Sequence, residues 1–317
     1  MALERADPAL VSKGTQEAMS RFAATLPDAA SGHIIECRLA EPGGACDYSM
    51  VLSRGDGGFE VFQHGIGGDP FWIQAEALLT ATQSTLGDAG LVWLEFDFAD
   101  DRPAAPCFFV SHGPQSDADQ RGFALGAALA EVFVLPIGET LRQLALQVPV
   151  SVRLKQAGIM AGRGARSLRL VLDGVKSDTI TTFLQTLDWP GDMSLAADLQ
   201  RIAHQIAPQG TCRIDLDVGE GLAPTLGIEL LYSDLAKPDL VAGALLREGL
   251  GVPETAAALV KMMPRRTLFT SAEQGMPHRL DFGLNHLKLS AQPATQVLEA
   301  KAYFSLLNLP DFQQISV

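Results

Sequence analysis

Several short segments place ionisable residues at every second position, between apolar ones. In the stretch from His278 to Leu307, Leu284, Leu287, Leu289, Ala300, Ala302 and Phe304 mark one face, while His286, Lys288, Ser290, Lys301 and Tyr303 mark the other. A β-strand turns successive side chains to opposite sides, so this stretch reads as two strands joined by Ala-Gln-Pro-Ala-Thr. The same alternation sets Arg153 and Lys155 against Val152 and Leu154, Arg169 against Leu168, Leu170 and Leu172, and Arg213 against Ile214 and Leu216. Basic faces of this kind can hold an anion by charge-assisted hydrogen bonds. A second group is acidic. Glu95 and Asp97 alternate with Leu94 and Phe96 beside Trp93, and a carboxylate among apolar walls has a raised pKa and can take a proton near neutrality. Asp215, Asp217 and Glu229 form a third group, suited to Mg²⁺ or to a cationic ligand, or to partnering Arg213 and the lysines, which is the simpler reading.

Other candidate motifs are weaker. His64-Gly-Ile-Gly-Gly-Asp69 lacks the Gly-Lys-Ser/Thr of a phosphate loop and reads as a turn, and Gly162-Arg-Gly-Ala-Arg166 reads as a flexible hairpin tip. The six histidines show no metal spacing, and neither a GxSxG elbow nor an Asp-rich DDxxD motif is present. The four cysteines lack CxxC spacing and read as reduced thiols of a cytoplasmic protein. A net charge of -13 argues against nucleic acid and anionic membrane as partners, so any anion site must be a local basic cluster. No run reaches the length of a membrane span, and the N-terminal residues lack the apolar core of a signal peptide. These features predict a soluble, intracellular chain.

The elements that must position these residues follow a repeating order. Helical spacing over 8–25 opens the chain, with Leu10, Ala18 and Phe22 on one side. Five hairpins follow: 32–55, 91–113, 148–175, 211–233 and 278–307. Helices are predicted between them, over 71–86 with Gly87 as the stop, 122–133, 138–148, 177–189 with Ser177 as N-cap, 194–207, 239–249 and 253–263. The period is about 55–65 residues. Ten antiparallel strands with one apolar face each need a cover of helices, and closing the sheet removes its edges. At about ten strands a barrel is too wide to be filled by its own side chains, so a chamber lined by the polar faces is expected. The predicted architecture is therefore α/β: an N-terminal helix in 1–30, then a single domain over 31–310. That domain is a closed antiparallel ten-stranded barrel of five αββα units inside a ring of helices. An open sheet with helices on one side is the alternative.

Five consecutive αββα units resemble the ABBA barrel of the soluble aromatic prenyltransferases, and Lys301-Ala302-Tyr303 fits their frequent Lys-x-Tyr strand motif. The resemblance implies a prenyl diphosphate held by Arg153, Arg169, Arg213, Lys288, Lys301 and Tyr303. It also implies an acceptor pocket of Trp93, Asp97, Asp215, Asp217 and Glu229, with Glu95 orienting or deprotonating the acceptor. The reaction implied is transfer of a prenyl group to an aromatic or heteroatom nucleophile, with Mg²⁺ an optional cofactor. The His286-Leu-Lys-Leu…Glu299-Ala-Lys-Ala-Tyr303 hairpin is also similar to uncharacterised bacterial proteins of ribosomal-peptide biosynthesis clusters, which implies a precursor peptide as acceptor. Departures are the abundance of Asp and Glu on the polar faces and a total of three tyrosines. They leave two rivals: a non-catalytic binding or accessory protein on the same barrel, and a metal-dependent hydrolase using Asp215 and Asp217.

Overall fold

Along 91–98 the outward residues Val92, Leu94, Phe96 and Phe98 are buried, while Trp93, Glu95 and Asp97 are half-buried, and this alternation recurs around the molecule. The structure is a computed structural model that describes residues 6–55, 57–66, 70–82, 90–98, 103, 106–111, 121–269, 279–292 and 297–308. Helix α1 (Lys13–Ala23) leads into β1 (Gly32–Arg38) and β2 (Cys46–Ser53). Next come α2 (Gly58–Ile66), α3 (Ile73–Thr82), β3 (Leu91–Phe98) and β4 (Cys107–Ser111). They are followed by α4 (Arg121–Val132), α5 (Gly138–Gln147), β5 (Arg153–Ile159) and β6 (Leu168–Lys176). Helices α6 (Ile180–Thr186) and α7 (Met193–Ile206) precede β7 (Thr211–Val218) and β8 (Leu226–Leu231). Last are α8 (Pro238–Arg247), α9 (Pro253–Met262), β9 (Arg266–Phe269), β10 (Arg279–Gln292) and β11 (Val297–Asn308).

The sheet order runs from β1 to β8 and on through β10 and β11, and β11 pairs back with β1. All pairings are antiparallel, and the ring of ten strands is closed. Strand β9 pairs with residues 279–282 of β10, outside the ring. The outward faces meet the helices. In α7, Ala196, Leu199, Ile202, Ala203 and Ile206 are buried at helical spacing, and the α1 residues Ala18 and Met19 join the same core. Phe96 of β3 meets Phe22 and Trp72 edge-on, with ring centroids 4.8 and 5.8 Å away. A fully buried Leu or Phe contributes about 1.5–3 kcal/mol and an exposed ion pair less than about 1, so these apolar faces hold the helices to the barrel. A second, small apolar cluster, Val51 and Leu91 with Ile34 and Trp93, lies apart from that core. Among the described residues, no helix is long and apolar enough to cross a membrane.

Among the described residues, three irregularities break the ladders, at Lys155, Gly174 and Asn285. The one at Asn285 explains why Leu284 and Leu287, three residues apart, share the apolar face. Gly174 takes φ +100, and a Cβ there would stand 2.8 Å from the Ser151 carbonyl oxygen.

Local expectations needed correction. Residues 8–12 precede α1, whose cap is Ser12, with Oγ accepting from the Thr15 amide at 3.2 Å. His64 to Ile66, expected as a turn, end α2, because Phe59, Phe62 and Ile66 bury at helical spacing despite Gly58 and Gly65; 67–69 lie outside the described residues. The helix expected from Phe71 begins at Ile73 after a 3-10 turn, and its expected end over 83–87 lies outside the described residues. Ser177 does not cap α6, whose N-cap is Thr179. It is buried, and its hydroxyl donates to the Ala207 carbonyl at 2.9 Å. Strand β9 carried too short an alternation to be foreseen.

Gly158 is fixed by a neighbour inside the barrel. A Cβ there would lie 2.2 Å from Phe109 Cδ1 and 2.7 Å from the Phe108 carbonyl oxygen. Gly158→Ala is expected to destabilise the protein by about 1–3 kcal/mol, read from urea-unfolding midpoints; an unchanged midpoint would show that Phe109 does not pack on Gly158.

Candidate active site

The residues between the outward apolar positions line the lumen, where they enclose a cavity of about 830 Å³. Ile34, Val51, Leu91, Trp93 and Phe109 make an apolar wall from β1 to β4. Lys155, Arg213, Glu229, His286 and Lys288 make a charged wall from β5 to β10. Near Tyr232 and Asp234 the lining also includes Arg265, whose guanidinium lies 6.0 Å from the Tyr232 ring centroid. A ligand filling this space meets hydrocarbon on one side and hydrogen-bonding charge on the other.

Past Glu95 the lumen is filled by ion pairs. Lys301 Nζ lies 2.6 Å from Glu36 Oε1, and the Tyr303 hydroxyl donates to Glu36 Oε2. Arg163, from the turn between β5 and β6, donates from Nε to Asp97 Oδ2 at 2.6 Å and from Nη2 to Glu95 Oε1 at 2.8 Å. Arg169 binds Asp217 through two bonds of 2.8 and 2.9 Å, and Thr225 donates to the same carboxylate at 2.8 Å. Lys288 pairs with Asp215. Arg213 lies 3.6 Å from both Asp173 and Glu229. The His286 ring stacks on Tyr303 with centroids 4.1 Å apart.

Crowding of charge shifts the titrations. Burial pushes the Glu36 carboxyl up, but Lys301 and the hydrogen bonds from Lys301 and Tyr303 outweigh it and bring it down to about 2. Asp47 has the opposite balance. Burial, with Glu36, Asp97 and Glu95 beside it, lifts it to about 8. Burial and Glu36 raise Glu95 above the usual carboxylate range, opposed by Arg163 and Lys288. Burial and then Arg213 and Lys288 lower His286 to about 3, so it is neutral at pH 7. Burial and Arg213 also lower Lys155. One carboxylate oxygen from each of Glu36, Asp47 and Glu95 lies within 4.8 Å of the others, but Lys301, Tyr303 and Arg163 already supply the donors there. Asp215, Asp217 and Glu229, the acidic group considered for Mg²⁺, each face a basic partner instead.

Of the residues expected from the sequence, Glu95, Trp93, Arg213, Lys288, Tyr303, Asp215 and Glu229 come together on the cavity wall. Arg169, Asp217, Asp97 and Lys301 belong to the ion pairs and do not line it. Arg153 is exposed at the start of β5 and does not line it either. Glu36, Asp47 and Arg163 were missed. Glu36 shares a face with Ile34 and Arg38, but the first hairpin's faces are mixed; register with Tyr303 and Lys301 of β11 assigns them. Arg163 lies in a turn and gives no periodic signal.

The closed antiparallel ten-stranded barrel with surrounding helices is the fold of the ABBA aromatic prenyltransferases. The 6-dimethylallyltryptophan synthase of Micromonospora olivasterospora, solved in complex with DMASPP and Trp, superposes with a TM-score of 0.56 at 15% identity over 92% of this chain and 86% of that one. The 5-dimethylallyltryptophan synthase of Streptomyces coelicolor gives 0.54 at 11% identity over 94% and 93%. The prenyltransferase PriB, in ternary complex with L-tryptophan and dimethylallyl thiolodiphosphate, gives 0.56 at 11% over 95% and 92%. No protein-family model matches the sequence, and no curated protein does.

The Asp47 carboxyl, at about 8 against 3.8, keeps a proton in the folded state that the unfolded chain releases near pH 4. Its contribution to stability therefore falls as pH rises between those values. Glu36, at about 2 against 4.5, does the reverse and loses its contribution as pH falls through that window. Asp47→Asn is expected to raise Tm at about pH 9 and to raise it much less at about pH 5; an equal effect at both values in thermal melts would contradict the protonated Asp47.

Proposed function

We propose that the barrel transfers a prenyl group from an allylic diphosphate to an aromatic nucleophile bearing an N–H or O–H. The single observation carrying this reading is the two-sided cavity inside an ABBA barrel, apolar at Ile34, Val51, Leu91, Trp93 and Phe109 and charged opposite, with the Glu95 carboxylate on its lining. The donor's C–O bond breaks to give an allylic cation and a diphosphate anion. The cation lies against the apolar wall, where water is excluded, and the acceptor ring packs beside Trp93. Carbon–carbon or carbon–heteroatom bond formation then releases a proton, which Glu95 accepts; burial and Glu36 raise its pKa and so make it a stronger base than an ordinary carboxylate.

The anion needs positive charge that is not already neutralised. Arg169, Arg213, Lys288 and Lys301 each have a carboxylate partner, whereas Lys155 has no ion pair or hydrogen bond among the described residues. The buried Nε of Arg213 also has no hydrogen-bond partner among the described residues. We assign the first contact of the diphosphate to Lys155 and Arg213, supported by Lys288 and Tyr303, with Arg169 and Lys301 acting through their ion pairs. A precursor peptide remains an acceptor to screen alongside free indoles and phenols. The same charge balance favours a second reading, a barrel that binds an amphipathic small molecule or peptide without turning it over.

A thermal-shift titration with dimethylallyl, geranyl and farnesyl diphosphates, with and without Mg²⁺, separates the two. Donor at about a hundred times its Kd stabilises by about 2.7 kcal/mol. The shift is expected to vanish in Lys155→Ala and to persist in Arg153→Ala. No shift with any diphosphate would sink the transferase reading. Glu95→Gln is expected to lower kcat by about 10²–10⁴ while leaving the donor-induced shift in place.

A further inference from the structure

We propose that Arg163 is the positioning residue for Glu95: seated past the cavity, its guanidinium fixes one carboxylate oxygen and leaves the other for the ligand. The inference rests on the proton-acceptor role given to Glu95 above. Arg163 sits in a 3-10 turn over Ala161–Arg163 that Gly164 closes in the left-handed region at φ +70. Its backbone amide is tied to the Met160 carbonyl at 3.0 Å, so the tip is anchored rather than free. From there the planar fork holds Asp97 by two bonds, and the same Nη2 donates to Glu95 Oε1. Nη2 also lies 3.6 Å from Asp47. One ammonium group cannot reproduce this, because the fork's donors have fixed directions and a lysine offers a point charge.

Glu95 Oε2 has no protein donor among the described residues, while Glu95 itself lines the cavity. The groups around Glu95 would otherwise leave its direction and charge poorly set. Glu36 on β1, Asp47 on β2, Asp97 on β3 and Cys107 on β4 add negative or neutral groups, as does Tyr303 on β11. Arg169 on β6 and Lys288 on β10 are the facing cations, both already paired with aspartates. Without Arg163 three carboxylates, Asp47, Glu95 and Asp97, would meet with no shared donor. Glu95 would then hold its proton to higher pH and lose its preferred orientation.

The test compares wild type with Arg163→Gln and Arg163→Lys. The Glu95 carboxyl is titrated directly by ¹³C NMR, assigned with Glu95→Gln, and kcat and KM are measured across pH with the donor that gives a thermal shift. In Arg163→Gln the Glu95 midpoint is expected to rise by about one pH unit or more. The acid limb of the rate should move with it, and kcat should fall with the donor's KM unchanged. Arg163→Lys should restore the midpoint and only part of kcat. A folded Arg163→Gln with an unmoved Glu95 midpoint overturns the proposal, as does wild-type kcat in Arg163→Lys. If Arg163→Gln does not fold, Arg163→Lys decides: a wild-type kcat overturns the proposal, and a lowered kcat with a wild-type Glu95 midpoint supports it. Absence of turnover by wild type would instead remove the transferase reading, and the NMR titration would still decide whether Arg163 controls Glu95.

Discussion

Pairing of β1, β2 and β3 brings like charges together, and the rest of the lumen is arranged around that constraint. Register sets Glu36 opposite Asp47, and Asp47 opposite Asp97, across three adjacent strands. Facing like charges on neighbouring strands repel, and burial removes the water that would screen them. The row survives because Lys301 and Tyr303 come from β11 on one side and Arg163 from a turn on the other. Asp47, left with only a distant share of Arg163, takes up a proton instead. Pairing and protonation are the two ways a buried carboxylate is accommodated, and both occur here within a few ångströms.

The same alternation gives each strand two different jobs. Outward residues join the helices in one continuous apolar core, which holds the helices to the barrel without any apolar filling of the lumen. Inward residues are then free to be polar. The exception is the stripe of Ile34, Val51, Leu91 and Trp93, which is apolar on the inside. Val51 and Leu91 are buried within this cluster, whereas Ile34 and Trp93 are only half-buried, so part of the stripe is apolar surface turned to the cavity.

Irregular backbone refines the arrangement. The breaks at Lys155 and Asn285 add an extra residue to a strand, and both residues line the cavity. A bulge of this type re-aims a side chain without changing the fold. It accounts for Lys155 standing in the lumen beside Gln156, near Asp173 but in no ion pair among the described residues.

The ten-stranded barrel was legible in the sequence because a period of two survives in the four hairpins after the first and a helical period in most of the segments between. Those signals are local: they left an open sheet as the alternative, and the pairing of β11 with β1 decides for closure. Glu95, Trp93, Arg213, Lys288 and Tyr303 were legible as inward residues for the same reason. Which carboxylate neutralises which cation was not, since Lys301 and Glu36 are joined only when the last strand meets the first. Arg163 gave no signal, because a turn residue's direction is set by the backbone around it and not by its neighbours' hydrophobicity. Alternation along the chain thus determined which side chains face inward. Only the closed ring, which brings distant strands within hydrogen-bonding distance, decided which of those charges remain free to meet a ligand.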